Sequence, residues 1–536
     1  LKTSGDTTFK LTVVERSSGQ TVAEQTFHDS PLAGSLRGDG EAFAYMVDQG
    51  GNQQYVPMMV EVGARGTRGL GAPATSIPGP LQWSPDGTRL AYLHAGKATP
   101  ARRLLVSSTE PSGARWRTIF PDVAPRTGFA WSADSRSVAA VRRSSRGVIS
   151  VASLDGPVRE YPVARGAEIR ELAWMPGDRV LATVRGPGRP FLGIVEVDLT
   201  TGRVRSLVNG PWDVAEPQIV HGGASWAFHA NIDSESTPLV CAAGSAACRL
   251  LGLPAGTSRI LGSVPGTDTV LVSHRGRSTP PRVIPIALHE SPRTPANPPG
   301  DARAESTPPA ERMDLRPGDG PRVPVYVWRA ARPRGGVRAA VIRVHGGPAV
   351  QADRAWDRTT EYLLRNGIDV LQLNYRGSTG YGAPFERARG GDCARVRDLA
   401  AAVTLARDEL GVPGERIILY GHSYGALLVA KAGRALPAPI GGVVLVSMTA
   451  DADPASCGSG DDSLRPKRIL AYHGANDYGL SPSQARRGVA SLVGGGMLQR
   501  RRVHWRVFDR EGHTFHRNAT WARVYADIIA VLDRAS

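Results

Sequence analysis

Three tryptophans constrain the first half of the chain. The run LQWSPDGTRLAYL from Leu81 is echoed by FAWSADSRSVAAV from Phe129 and by LAWMPGDRVLATV from Leu172. Trp83, Trp131 and Trp174 therefore recur at intervals of 48 and 43 residues. Weaker echoes begin near Leu36, Ile219 and Ile260. Each unit reads strand, tight turn, strand, and a repeat of about 40–50 residues with that content is the mark of a β-propeller. The spacing predicts six or seven four-stranded blades, with the tryptophans packed between blades rather than lining a ligand site. The propeller is expected over residues 1–287.

Residues 288–312 are rich in proline, alanine and charge (HESPRTPANPPGDARAESTPPAERM), as a linker is. From 313 to 536 the pattern changes. Short β-branched runs such as AAVIRVHG, RIILYG and GVVLVSM alternate with helical stretches such as VRDLAAAVTLARDELG. That alternation predicts a mostly parallel sheet covered by helices. The expected fold is thus an all-β propeller followed by an α/β-hydrolase domain.

Composition excludes some functions. The net charge is +16, but only five of the basic residues are lysine and the arginines are dispersed. No basic run is interleaved with aromatics, so no nucleic-acid partner is expected. No run of about 18 apolar residues predicts a membrane span. Four cysteines are present, at 241, 248, 393 and 457, with no CxxC pair that would suggest zinc. Cys241 and Cys248 flank a small loop that a disulfide could close, and a Cys393–Cys457 tether is one pairing that spacing and parity allow. The alternative is four unpaired thiols. The even count favours an oxidising compartment, secreted or periplasmic over cytoplasmic. The chain begins at Leu1, which a removed leader and a trimmed chain explain equally.

The chemistry concentrates in YGHSYGA. Ser423 lies between Gly421 and Gly425, after the strand-like RIIL and before a helical run. Gly-x-Ser-x-Gly at a strand-to-helix junction is a nucleophile elbow. A serine needs a base, and the base an orienting acid, expected in the chain order Ser, acid, His. His513, in a loop after the strand HWRVFD, is the expected base; His516 and His504 are weaker candidates. Asp477, just past RILAYHG, is the expected acid, with Asp451 and Asp453 as rivals. The amides of Gly347, in HGGP after AAVIRV, and of Tyr424 are the expected oxyanion donors.

Together, HGGP from His345, NYRGSTGYG from Asn374, GDC from Gly391, GHSYG from Gly421, HGAND from His473 and EGH from Glu511 resemble the prolyl oligopeptidase family of serine peptidases, closest to its acylaminoacyl-peptidase and dipeptidyl-peptidase-like branches. The resemblance is strong over residues 310–536. It implies a Ser423–Asp477–His513 triad acting on short peptides, with the propeller gating access and no metal or cofactor. It also makes His345, Tyr375, Arg376 and Tyr478 possible pocket residues, with Tyr375 and Arg376 either structural or pocket-lining. Two features depart from the family. Ala426 stands where the family usually has glycine, and residues 449–467 are far shorter than its usual pocket-building segment. An esterase or specialised amidase of the same fold, or an inactive binding protein, are the alternatives. No acidic pair in the first half is recognisable as a seat for a free amino terminus, so exo- or endo-cleavage is left open, as is the oligomeric state.

Overall fold

The computed structural model describes residues 2–4, 8–14, 21–27, 31–48, 54–62, 67–71, 73–75, 81–96, 101–108, 115–245, 247–264, 266–289, 307–318, 320–388, 390–436, 439–449, 457, 466–477, 479–493 and 503–534. A three-stranded antiparallel sheet (Lys2–Ser4, Thr8–Val14, Thr21–Phe27) comes first. Six antiparallel blades follow, whose first strands are Pro31–Leu36, Leu81–Trp83, Phe129–Trp131, Glu168–Met175, Val214–Val220 and Gly256–Ser263. Among the described residues five have four strands and the last has three.

The repeat explains the blade. In the second blade Ser84 donates to Asp86 (2.5 Å), which also accepts from the Thr88 amide (3.0 Å). In the third, Ser132 and the Arg136 amide donate to Asp134 in the same way (2.6 and 3.0 Å). The turn then needs a left-handed residue. Gly87 supplies it in one copy (φ +71°) and Ser135 in the next (φ +61°). The tryptophans fill the seams between blades. Trp83 packs among Ala42, Ala44 and Met46 of the preceding blade and donates to the Ser35 carbonyl (3.0 Å). Trp131 packs against Ala91, Leu93 and Leu104.

The last propeller strand ends at Ala287, and the α/β sheet begins at Glu311. Its eight strands, numbered within this sheet, are β1 (Glu311–Leu315), β2 (Val323–Trp328), β3 (Ala340–Val344), β4 (Asp369–Leu373), β5 (Ile417–His422), β6 (Gly442–Val446), β7 (Arg468–Gly474) and β8 (Val503–Phe508). They lie in the order β1-β2-β4-β3-β5-β6-β7-β8. β1 pairs with β2 and β2 with β4 antiparallel; all other pairs are parallel. β2 and β6 are buried at every residue, as strands covered on both faces must be. Among the described residues the six α-helices of this half are α1 (Arg358–Arg365), α2 (Ala383–Glu386), α3 (Gly391–Thr404), α4 (Tyr424–Ala435), α5 (Pro482–Val493) and α6 (Asn518–Asp533). Leu399 and Val403 of α3 and Leu428 and Val429 of α4 build the core on one face of the sheet. Leu363 of α1 and Val524 and Ile528 of α6 build it on the other. No helix among the described residues is long and apolar enough to cross a membrane.

The halves join largely through charge. Glu386 at the end of α2 accepts from Arg126, Arg170 and Arg185 of the propeller (2.7, 3.3 and 3.0 Å). Burial disfavours its charge, but the arginines hold its pKa below the usual range. Backbone bonds run across as well, from Ala383 N–H to Pro190 (2.6 Å) and from Trp356 N–H to Gly276 (2.8 Å).

Candidate active site

Strand β5 runs straight into α4, and Ser423 is the single residue between them. It sits at φ +56°, ψ −124°, a conformation that L-residues avoid. The flanking glycines make it possible. A Cβ on Gly421 would lie 2.3 Å from the Gly425 carbonyl oxygen, and one on Gly425 would lie 2.3 Å from that of Val344. No side chain larger than hydrogen fits at either position. Ser423 occupies the N-cap of α4 without capping it. Its hydroxyl instead faces His513, with Nε2 2.7 Å from Oγ. Nδ1 of the same ring donates to Asp477 Oδ2 at 2.8 Å. Three side chains from three strand ends thus form one hydrogen-bonded line.

Backbone and buried groups hold each member. Asp477 follows β7 and also accepts from the amides of Gly479 (2.9 Å) and Leu480 (3.3 Å). Burial works against its charge, but the His513 hydrogen bond, the nearby imidazoles and the Gly479 amide outweigh that and hold its pKa below the usual carboxylate range. His473 donates from Nε2 to the Leu480 carbonyl (2.7 Å), fixing the far side of the same loop. The His513 loop is pinned twice. Buried Glu511 accepts from the His516 and Arg517 amides and from Thr520 Oγ1 (2.8, 3.1 and 2.6 Å). His422 donates from Nε2 to the His513 carbonyl (2.8 Å).

The glycine loop after β3 runs against the elbow. A Cβ on Gly346 would lie 3.2 Å from Ser423 Cβ, and Gly347 is left-handed (φ +114°) before a cis Pro348. The ring of His345 stacks on Tyr375 at 4.4 Å and lies 2.8 Å from Ser378 Oγ through Nε2. Burial pushes the His345 pKa down to about 4. Tyr375 is fully buried and donates to the carbonyls of His345 and Gly346 (3.1 and 3.2 Å). Arg376 is also buried, with Nε 2.9 Å from Asp398 Oδ2. Both side chains thus spend their polar groups on protein partners, which accords with the structural role of the two expected for them.

Of the rival bases, His504 is half exposed beside Asp527 (3.6 Å), and the backbone amide of His516 donates to Glu511 (2.8 Å). Tyr478, Asp451 and Asp453 lie outside the described residues. Both disulfides are formed, Cys241–Cys248 across a hairpin of the fifth blade and Cys393–Cys457 from the start of α3 to the short segment after β6.

One group of residues escaped the sequence reading. A cavity of about 330 Å³ lies where the propeller meets the NYRGSTGYG loop, lined by Glu171, Asp213, Glu216 and His229 and by Thr379 and Gly380. Glu171 and Glu216 each fall where the first strand of a blade slips register against its neighbour. Such a bulge re-aims side chains and is set by the partner strand, so the blade repeat alone gave no sign of it. Burial raises the Glu171 pKa despite its bond from Thr183.

Comparison with known proteins agrees with this architecture. The Prolyl oligopeptidase family matches residues 355–453. A dipeptidyl aminopeptidase BIII of Pseudoxanthomonas mexicana is 34% identical over 87 residues, 16% of this chain and 13% of that protein. An acylamino-acid-releasing enzyme of Rattus norvegicus is 34% identical over 90 residues, 16% of this chain and 12% of that one. The matched segment therefore spans about an eighth of those relatives. Among solved structures, a prolyl endopeptidase superposes over 96% of this chain and 85% of its own (TM-score 0.75, 19% identity). A puromycin-hydrolyzing peptidase of Mycobacterium tuberculosis does so over 99% and 93% (TM-score 0.75, 18% identity). Residues 355–453 of the α/β half thus match the prolyl oligopeptidase family, and the whole chain has the two-domain fold, propeller and α/β domain, of those solved peptidases.

Proposed function

We propose that the chain is a serine hydrolase that cleaves amide bonds of short peptides through an acyl-enzyme. The observation that carries this reading is His513 bridging Ser423 and Asp477 with two short hydrogen bonds. His513 takes the Ser423 proton at Nε2 as Oγ attacks the carbonyl. Asp477, charged and fixed by two amides, keeps the Nδ1–H tautomer and stabilises the imidazolium. The amides of Gly347 and Tyr424 receive the developing oxyanion; losing one such donor typically costs ~10²–10³ in rate. His513 then protonates the leaving amine, and water clears the acyl group by the reverse path.

The propeller limits the substrate to what passes between the halves. The cavity beside Thr379 and Gly380 sets three propeller carboxylates beside Arg170 and Arg259, with Asp213 ion-paired to Arg185 (3.2 Å) and Glu216 to Arg259 (2.8 Å), so it presents mixed charge to a substrate. A fluorophosphonate probe tests the reading. Labelling of the unaltered protein that disappears in Ser423→Ala supports it, and absence of labelling in both points to a binding protein. Peptide p-nitroanilides set against p-nitrophenyl esters then separate a peptidase from an esterase.

A further inference from the structure

The segment Gly391-Asp392-Cys393 opens α3 beside the elbow, and the proposed chemistry does not use it. Asp392 is the hub of a small charged cluster. Its Oδ1 accepts from the Tyr424 hydroxyl at 2.5 Å and its Oδ2 from Lys431 Nζ at 2.9 Å. Arg395 Nη1 lies 3.4 Å from Oδ1 and donates to the Tyr424 hydroxyl at 2.7 Å. The guanidinium also lies over the Tyr424 ring, 5.6 Å from its centroid, while Nε donates to the Arg376 carbonyl (3.2 Å).

The spacing matters. Tyr424 and Lys431 both belong to α4 and are seven residues apart, two helical turns on one face. One carboxylate therefore grips α4 at two heights. The apolar packing of Leu428 and Val429 already seats α4 on the sheet, and these two polar contacts restrain its rotation further at the end that carries the elbow. Tyr424 is also the residue immediately after Ser423, and its amide direction follows that rotation. Lys431 is 7% exposed, so its charge is balanced here rather than by solvent. Burial opposes ionisation of Asp392, but the Lys431 and Tyr424 hydrogen bonds prevail and hold its pKa low.

We propose that Asp392 is a positioning residue for the oxyanion site: by holding Tyr424 and Lys431 together it sets the direction of the Tyr424 amide at the reacting carbonyl. The inference rests on reading Ser423 as the nucleophile. Because the amide stays in place when Asp392 is removed and is only re-aimed, the effect falls short of losing a donor outright, and it acts on the transition state more than on substrate binding.

The experiment is a kinetic cycle on the full chain with a peptide p-nitroanilide, using Asp392→Ala, Tyr424→Phe and the double variant. Asp392→Ala is expected to lower kcat about tenfold with KM within about twofold, and to slow fluorophosphonate labelling by the same factor while labelling still reaches completion. Tyr424→Phe is expected to do much the same, and the double variant no worse than either alone. Asp392→Asn, which keeps an acceptor for the hydroxyl, should recover part of the loss. Asp392→Ala with unchanged kcat, or losses that multiply in the double variant, would overturn the proposal while leaving the nucleophile intact. An unaltered protein that neither labels nor turns over would instead remove the reading of Ser423 itself. Should Asp392→Ala not fold, the Asp392→Asn and Tyr424→Phe pair carries the same comparison.

Discussion

The propeller is built of parts used several times, and the α/β half of parts used once. The Ser–Asp turn of the second blade is rebuilt almost atom for atom in the third, and a serine replaces the glycine at its left-handed corner without breaking it. Among the described residues of the α/β half no second copy exists of the elbow, the acid loop or the histidine loop. Damage to one blade turn is shared by its neighbours, whereas damage to the elbow has nothing to fall back on. The difference also shows in how strain is held. Ser135 bends in a turn buried against the second blade, its hydroxyl accepting from the Asp86 amide (3.0 Å), but Ser423 is flanked by glycines whose backbone neighbours admit only hydrogen.

The largest effect expected from that contrast is for Gly425→Ala. The added methyl meets the carbonyl oxygens of Val344 and His345 at 2.3 and 2.5 Å. The elbow has to open or β3 has to move, at about 3 kcal/mol or more. Thermal unfolding should show the loss, and turnover should vanish with it. A variant as stable and active as the parent would show that the elbow has room the contacts deny.

Acid should weaken both halves alike. Burial lowers the pKa of His94, His229 and His274 in the propeller and of His345, His422 and His473 in the α/β half. Each binds its proton more readily unfolded than folded. Stability therefore falls as pH drops from the ordinary histidine range toward the lower folded values. For His345, pushed down to about 4, the share is on the order of 2 kcal/mol after allowance for its partial exposure. Melting temperature should drop between pH 7.5 and pH 5, and His345→Gln should flatten part of that drop. A melting temperature that holds or rises on acidification would contradict the burial of these rings.

The smallest effect is expected for Asp134→Ala. It removes the acceptor for Ser132 and the Arg136 amide in one of several like turns. The cost should be about 1 kcal/mol in urea unfolding, with turnover within about twofold. A large loss of activity would mean that single blades control the site more tightly than their repetition suggests.

The same contrast explains what the sequence could reveal. The tryptophan period was plain because three consecutive blades, the second to the fourth, carry the residue at the same place in the repeat. Ser423 was plain because strand, glycine, serine, glycine and helix follow one another locally. Asp477 and His513 were placed by the rule that such loops follow strand ends, a matter of chain order. Arg376 and Tyr375 were harder. Their motif looks like a pocket rim, yet the partner that buries Arg376 is Asp398, 22 residues away in α3. Glu171 and Glu216 were hidden because a register slip depends on the neighbouring strand. Asp392 was visible in GDC, but its link to the elbow needs the pairing of α3 with α4.

The nearness of the glycine loop to the elbow has one more consequence. The carbonyls of Val344 and His345 and the Cα of Gly425 share a gap only a hydrogen atom wide. The two segments are 80 residues apart in the chain, yet neither can be remodelled alone. A substitution that shifts one by a fraction of an ångström has to shift the other in step. Redesign of this scaffold therefore has to treat the two segments as one unit.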